Sequence, residues 1–169
     1  RIVVSGAGAA GVVAVEMLRG AGARDIVVLD SRGVIHAGRE DLNPVKQALA
    51  SITNPRGVTG GVAEALTGAD VYIGVSGGHV TEKALQLMAD RPILFSLANP
   101  SPEIDPELAG RYGAIVATGR SDLPNQINNV LAFPGIFHGA LAAQARSITP
   151  AMKLAASQAI ADIAAENLA

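Results

Sequence analysis

Continuous apolar runs alternate with amphipathic stretches along this chain, and the alternation predicts its secondary structure. Five apolar runs predict buried strands, at residues 1–5, 25–30, 71–75, 92–97 and 114–118. Stretches with helical spacing of apolar residues predict helices between them, at residues 9–20, 62–66, 81–89 and 106–112. Strands that alternate with helices are typical of a parallel sheet covered on both faces. We therefore predict an α/β fold with a doubly wound, mainly parallel sheet.

The pattern is weaker in two parts of the chain. Residues 31–61 are the least regular, and the sequence NPRG at residues 54–57 predicts a turn there. A polar loop over residues 119–129 follows the last predicted strand and leads into an apolar stretch at residues 130–143. The final predicted helix, residues 150–169, is rich in alanine, isoleucine and leucine. We expect this helix to pack on another domain or subunit.

A glycine-rich turn, with the spacing G-x-G-x-x-G, joins the first predicted strand to the first helix. Gly6 permits a tight turn, Gly8 allows the backbone to approach a pyrophosphate, and Gly11 allows the helix to pack closely against the sheet. The intervening Ala9 and Ala10 begin the helix, where free backbone N–H groups can bind an anion. The spacing alone is weak support for a dinucleotide site, since a turn of this kind can be purely structural.

An acidic residue in the expected place strengthens that interpretation. Asp30 ends the second predicted strand, 19 residues after Gly11, where a carboxylate can accept hydrogen bonds from an adenosine ribose. Strand, turn, helix, strand and acid then follow the order of a Rossmann-type dinucleotide-binding fold. We predict that Ser31 and Arg32, which follow Asp30, also contact the dinucleotide.

Composition narrows the functional classes. The chain has 169 residues, of which 49% are apolar, and this length favours a single globular domain. A net charge of −2 and an aromatic content of 3% argue against a nucleic-acid partner. We expect no membrane span, because charged residues or glycine interrupt every apolar run. Cysteine is absent, which fits a reducing compartment, and we expect a cytoplasmic protein.

Longer motifs make the comparison specific. The runs DSRGVI at residue 30, LFSLANPSPEI at residue 94 and ATGRSDLPNQINNVLAFPGIF at residue 117 resemble the nicotinamide-binding domain of bacterial-type malic enzymes. The resemblance covers essentially all 169 residues. It implies an oxidoreductase that converts malate to pyruvate and CO2 with NAD or NADP and with Mg²⁺ or Mn²⁺.

The same resemblance implies that part of the enzyme lies elsewhere. The tyrosine and lysine that act as acid and base in this family, and its metal-binding carboxylates, belong to segments before the glycine turn. We therefore interpret the chain as a fragment, residues 1–169 being the NAD(P)-binding domain, without catalytic or metal-binding residues of its own. Tyr72 and Tyr112 are expected to be packing residues.

The resemblance also assigns residues to the nicotinamide end of the site. Asn99 and Asn129 match asparagines that contact malate and the nicotinamide ribose, and Asn128 is a weaker candidate for substrate binding. The loop that contains Val75, Ser76 and Gly77 is expected to run along the cofactor. Each of these residues has a simpler explanation, because asparagine, serine and glycine are common in turns.

Three questions stay open at this point. An acid at Asp30 favours NAD over NADP, although Arg32 could pair with a 2′-phosphate. The full-length protein is expected to be a homodimer. Two other classes remain possible: a different Rossmann-type dehydrogenase, and a non-enzymatic module that senses NAD(H). A sensor would not need Asn99 and Asn129 to converge on the nicotinamide ring.

Overall fold

A computed structural model describes residues 1–166 and has a six-stranded sheet as its centre. The sheet contains β1 (Ile2–Ser5), β2 (Ile26–Asp30), β3 (Gly33–Val34), β4 (Val71–Gly74), β5 (Ile93–Ser96) and β6 (Ile115–Thr118). The helices are α1 (Ala9–Gly20), α2 (Pro44–Ile52), α3 (Val62–Leu66), α4 (Glu82–Leu85), α5 (Pro106–Tyr112), α6 (Phe133–Ala142) and α7 (Pro150–Glu166), with a short 3₁₀ turn at Asn129–Leu131.

The strand order in the sheet is β3-β2-β1-β4-β5-β6. All neighbouring strands are parallel except β3, which runs antiparallel to β2. The chain moves outward from β1 in one direction and from β4 in the other, so right-handed connections place their helices on opposite faces. The predicted doubly wound α/β fold of the Rossmann type is confirmed.

The register brings the carboxyl ends of the parallel strands into one row. Ser5 of β1 pairs with Leu29 of β2 and with Gly74 of β4, and Gly74 pairs with Ser96 of β5. The loops that follow these strands therefore leave from the same edge of the sheet. The switch point between β1 and β4, where ligands bind in such folds, lies at the centre of this row.

The five predicted strands are present within a residue or two of their expected bounds. Two elements in the irregular segment were missed: helix α2, which Asn43 caps by accepting a hydrogen bond from the Lys46 N–H, and the two-residue strand β3. Helix α4 ends at Leu85, four residues before its predicted end. Helix α7 is confirmed as far as Glu166, and its last three predicted residues lie outside the described chain.

The core lies between the sheet and its helices. Val3, Val27, Tyr72 and Leu94, one from each of four adjacent strands, are completely buried. Leu66 of α3 packs in the same cluster. Tyr72 is thus a packing residue, as expected from the sequence. No helix in residues 1–166 is both long enough and apolar enough to cross a membrane.

The chain divides into two compact units, which we describe separately. The first contains Arg1–Val15 and Ala23–Ile127, and therefore the whole sheet. The second contains Glu16–Gly22, the end of α1, together with the chain from Asn128 onward. Helix α7 packs on the end of α1 within this unit, where a Cβ on Gly20 would lie 3.0 Å from Leu154. Several large apolar side chains of the second unit are exposed: Val130, Leu131, Phe133, Phe137 and Leu141.

Candidate functional site

The glycine turn lies at the switch point of the sheet, against the loop that follows β4. Gly6 has a φ of +124°, a conformation that glycine adopts without strain. A Cβ on Gly6 would lie 3.0 Å from the Cβ of Ser76 and 3.1 Å from the backbone of Val75. The turn is therefore packed directly against two of the predicted cofactor-loop residues.

The other two glycines of the motif have different surroundings. A Cβ on Gly11 would collide with the carbonyl oxygen of Gly6, so the helix can start this close to the turn only with glycine there. By contrast, no atom of residues 1–166 lies within 4 Å of a Cβ built on Gly8. Gly8 is exposed, and the open space beside it is what a pyrophosphate would occupy. The structure thus separates one glycine needed for packing from one that leaves room for a ligand.

The start of α1 completes this anion site. Ala9 and Ala10 are exposed, and N–H groups in the first turn of a helix have no partner within the helix. The twelve-residue helix also places the positive end of its dipole at the turn. Backbone donors, open space and favourable polarity together fit a dinucleotide pyrophosphate.

Asp30, at the end of β2, lies in an ion-pair network that the sequence did not reveal. Its Oδ1 accepts from Arg39 Nη1 at 2.8 Å and from the Arg32 N–H at 2.9 Å. Its Oδ2 accepts from Lys46 Nζ at 2.6 Å and from Arg39 Nη2 at 3.2 Å. Only 5% of the Asp30 side chain is exposed. A carboxylate has about four lone-pair sites, and four donors fill them here.

This network affects whether Asp30 can accept hydrogen bonds from a ribose. Burial by itself raises the pKa of Asp30, but the hydrogen bonds from Arg39, Lys46 and the Arg32 backbone outweigh burial and lower the pKa to about 2. The carboxylate is therefore ionised and fully used within the chain. A ribose hydroxyl would have to displace one of the four donors to bind it directly, so direct ribose binding by Asp30 stays a prediction without support from this geometry.

A cavity of about 590 Å³ opens beside this network. It is lined by the end of β2, by β3 and by the start of α3, and it includes Ser31, Arg32, Arg39 and Asp41. The Arg32 side chain is 71% exposed, and its Nη1 donates to Asp41 at 2.9 Å. Asp41 also accepts from Arg39 at 2.6 Å. The cavity lies where the adenosine end of a dinucleotide binds in this fold, next to the second strand.

Replacing Asp30 by asparagine should lower the free energy of unfolding at neutral pH by about 2–3 kcal/mol, because Arg39 and Lys46 would lose a shared, largely buried partner. The folded-state pKa lies below the ordinary value of 3.8, so the stabilisation is present above that value and is lost as the pH falls toward about 2. Urea titrations at pH 7, 4 and 2 measure this. The exposed Asp90→Asn is the control, and an equal difference at all three pH values would contradict the prediction.

The loops after β4 and β5 carry the predicted residues of the nicotinamide end. Val75 and Ser76 are half-buried and Gly77 is exposed. Asn99 is exposed too, three residues after the end of β5. Ser76 Oγ lies 3.4 Å from Ser5 Oγ, so this loop contacts the end of β1. The Asn99 amide makes no hydrogen bond to the rest of residues 1–166 and is available to a ligand.

Asn128 and Asn129 belong to the second unit. The Oδ1 of Asn128 accepts from the Val130 N–H at 3.0 Å and caps the 3₁₀ turn, which is the simpler role considered for it from the sequence. Asn129 is exposed, and its side chain makes no hydrogen bond within the described chain. Convergence of Asn99 and Asn129 on one ligand stays a prediction.

Catalytic and metal-binding groups were not expected in this chain. Within residues 1–166 no group of three or more histidine or carboxylate side chains could hold a metal ion. Burial raises the pKa of the Tyr72 hydroxyl well above its usual range. The Tyr112 hydroxyl, at the end of α5, donates to Glu82 of α4 at 2.9 Å. Tyr72 is therefore held by core packing and Tyr112 by a hydrogen bond between two helices.

Sequence reasoning missed four charged residues near the site: Arg39, Asp41, Lys46 and Glu103. Arg39 and Lys46 pair with Asp30, and Asp41 pairs with Arg39. Asn43–Pro44 was the signal for the helix that carries Lys46, because asparagine caps helices and proline favours the first turn. Glu103 is completely buried and accepts hydrogen bonds from both loops after β4 and β5. It lies in the run PSPEI, which belongs to one of the motifs that resemble the family.

Comparisons with known proteins agree with this arrangement. The family model described as "Malic enzyme, NAD binding domain" matches residues 1–169. An NAD-dependent malic enzyme of Geobacillus stearothermophilus is 49% identical over 99% of this chain and 35% of its own length. An NADP-dependent malic enzyme of Halomonas elongata is 50% identical over 98% of this chain and 40% of its own length.

One solved structure is similar to this chain along nearly its whole length. The crystal structure of the Entamoeba histolytica malic enzyme has a TM-score of 0.91 and 42% identity, and the match covers 99% of this chain and 36% of that one. The chain thus spans about two fifths or less of these relatives. These matches favour the main interpretation over a different Rossmann-type dehydrogenase or a non-enzymatic sensor. The chain belongs to the malic enzyme family, of which it is the NAD-binding domain.

Proposed function

We propose that the native protein that contains this chain oxidises malate and decarboxylates it to pyruvate and CO2, and that this domain binds the dinucleotide. The observation that carries the proposal is the glycine turn at the switch point, with open space at Gly8 and free donors at the start of α1. Membership of the malic enzyme family supplies the reaction class. When bound, the dinucleotide would supply the hydride acceptor for malate oxidation.

Different residues of this chain would bind the pyrophosphate, support the nicotinamide and orient the substrate. The turn at Gly6–Gly11 binds the pyrophosphate through backbone N–H groups. The loop at Val75, Ser76 and Gly77 supports the nicotinamide half, and Asn99 and Asn129 orient substrate and ribose through neutral amides. A neutral amide both donates and accepts without adding charge near the reacting carbon. The acid, the base and the ligands of a divalent metal are proposed to lie outside this chain.

The cofactor is proposed to be NAD rather than NADP. The three cations beside the cavity, Arg32, Arg39 and Lys46, each already pair with Asp30 or Asp41. A 2′-phosphate would have to compete with these carboxylates and would meet their negative charge. The preference for NAD thus rests on this competition for the cations. It does not rest on direct ribose binding by Asp30, which the four donors on that carboxylate disfavour.

Replacing Asp41 by asparagine should shift selectivity toward NADP by about tenfold, because Arg32 then loses its carboxylate partner and can pair with a 2′-phosphate. Titration of the native protein with NADH and NADPH gives the two Kd values. Asp25→Asn, which breaks a similar pair with Arg56 at the other end of β2, is the matched control. Wild-type protein that binds NADPH ten times more tightly would contradict the choice of NAD.

Replacing Asn129 by alanine should lower kcat/KM for malate by about tenfold or more in the native protein, because a hydrogen bond to a charged group is worth roughly 1.5–3 kcal/mol. Malate-dependent reduction of NAD, with pyruvate as product and Mn²⁺ present, is the measurement. Affinity for NADH should change less. Asn125→Ala, in the loop after β6, is the control, since within residues 1–166 the Asn125 side chain donates only to the carbonyl of Val116.

Two results would count against these assignments. Malate kinetics within twofold of wild type would mean that Asn129 is only a loop residue. A native protein that binds NADH but never oxidises malate would support the sensor and overturn the proposed enzyme.

Assembly and location remain predictions. The exposed apolar side chains of the 3₁₀ turn and α6, such as Leu131 and Phe137, support the expectation that this unit packs on another domain or subunit. We propose a homodimeric, cytoplasmic enzyme with no nucleic-acid or membrane partner.

A further inference from the structure

Glu103 is the one completely buried carboxylate in the described chain, and it lies between two loops of the proposed site. Its Oε1 accepts from the Ser76 N–H at 2.9 Å, and its Oε2 accepts from the Ala98 N–H at 3.2 Å. Its backbone carbonyl accepts from the Val80 N–H at 2.9 Å. One residue therefore holds both ends of the β4 loop and the residue that precedes Asn99.

The chemistry of the side chain suits this double contact. An ionised carboxylate offers acceptors on two oxygens, whereas a glutamine amide has one acceptor and one donor group. Among residues 1–166 no lysine or arginine pairs with Glu103. Burial raises the pKa of Glu103, and the backbone N–H groups partly offset that effect. A buried carboxylate without a cation is costly, so packing alone is a poor explanation for it.

The sheet makes room for this side chain. Gly74, the last residue of β4, lies beside the carboxylate, and a Cβ there would collide with it. Gly74 has no positive φ, so its backbone would accept alanine. The absence of a side chain at Gly74 is explained by the space that Glu103 occupies.

We propose that Glu103 is a positioning residue that fixes the loop at Ser76 relative to the loop at Asn99, so that the cofactor and the substrate keep a fixed position relative to each other. The proposal rests on the proposed function, in which Asn99 orients the substrate. Glu103 itself touches neither ligand and acts through the two backbone N–H groups.

Two variants test the proposal by different routes. Glu103→Gln removes one acceptor, and Gly74→Ala displaces the carboxylate without changing a polar group. Each should lower kcat for malate by about tenfold in the native protein, with a smaller change in KM and in the Kd of NADH. The double variant should be little worse than either single one, because both break the same contact. Hydrogen exchange at the amides of Ser76 and Ala98 should accelerate in both.

Controls separate positioning from stability. Glu107→Gln makes the same change on an exposed side chain of α5, and Ile26→Ala destabilises the core at the far end of β2. Both should retain kcat at temperatures where they are folded. Variants at Glu103 and Gly74 that melt earlier but keep wild-type kcat, or additive effects in the double variant, would overturn the proposal. If wild-type protein does not oxidise malate, the proposed function fails, and the exchange rates still decide whether Glu103 joins the loops.

Discussion

Replacing Gly8 by valine should reduce NADH affinity by about a hundredfold or more and leave the melting temperature nearly unchanged. The valine side chain would enter the open space beside the turn, where the pyrophosphate would otherwise accept several hydrogen bonds, each worth roughly 1.5–3 kcal/mol to a charged group. In the part of the chain that the structure describes, no atom lies within 4 Å of a Cβ at this position. Fluorescence titration with NADH and a thermal melt measure the two effects.

The neighbouring glycine provides the contrast. Gly11→Ala adds only a methyl group, yet its Cβ would collide with the carbonyl oxygen of Gly6, so this variant should lose stability as well as binding. The expected difference in stability between the two variants follows from the packing of each glycine. A folded Gly8→Val protein with wild-type NADH affinity would exclude the turn as the pyrophosphate site.

The chain of 169 residues, purified by itself, should bind NADH but should not oxidise malate. The glycine turn, the cavity beside Asp30 and the loop after β4 all lie in the first unit, so binding needs no other domain. Removing a proton from the malate hydroxyl and stabilising the developing enolate need a base and a metal. Residues 1–166 have no cluster of side chains that could hold a metal ion. Tyr72 is buried in the core, and the Tyr112 hydroxyl is hydrogen-bonded to Glu82.

The measurement is an NADH titration together with a malate oxidation assay in the presence of Mn²⁺. The native protein at the same concentration serves as the positive control. Metal-dependent turnover by the chain alone would show that the catalytic groups lie within it. Binding should be weaker than in the native protein, because a second domain would no longer exclude water from the site.

The strands were predictable because each is a continuous apolar run, and β2 shows the reason most clearly because it is buried on both faces. Val27, Val28 and Leu29 of β2 are all buried, and no helix periodicity competes with such a run. The element β3 has only two residues, so no periodic pattern could reveal it. Helix α2 was missed although Asn43 and Pro44 signal its start, because the surrounding segment is irregular.

The site was predictable where local geometry defines it and hidden where distant residues meet. Gly6, Gly8 and Gly11 form their turn within six residues, and their spacing alone predicts its shape. The partners of Asp30 come from 9 and 16 residues further along the chain, in a segment without predicted structure. Glu103 lies 27 residues from Ser76 and becomes its partner only through the order of β4 and β5.

The two edge strands of the sheet, β3 and β6, are both protected against pairing with another chain. On one side the antiparallel β3 is only two residues long and offers almost no backbone for another chain to pair with. On the other side, Asn125 Nδ2 donates to the carbonyl of Val116 at 3.0 Å, and the Ile127 N–H donates to the carbonyl of Thr118 at 2.8 Å. The polar loop after β6 thus occupies carbonyls that a foreign strand would need. Self-association of this domain should proceed through exposed side chains such as Leu131 and Phe137, and amyloid-like strand addition should be slow.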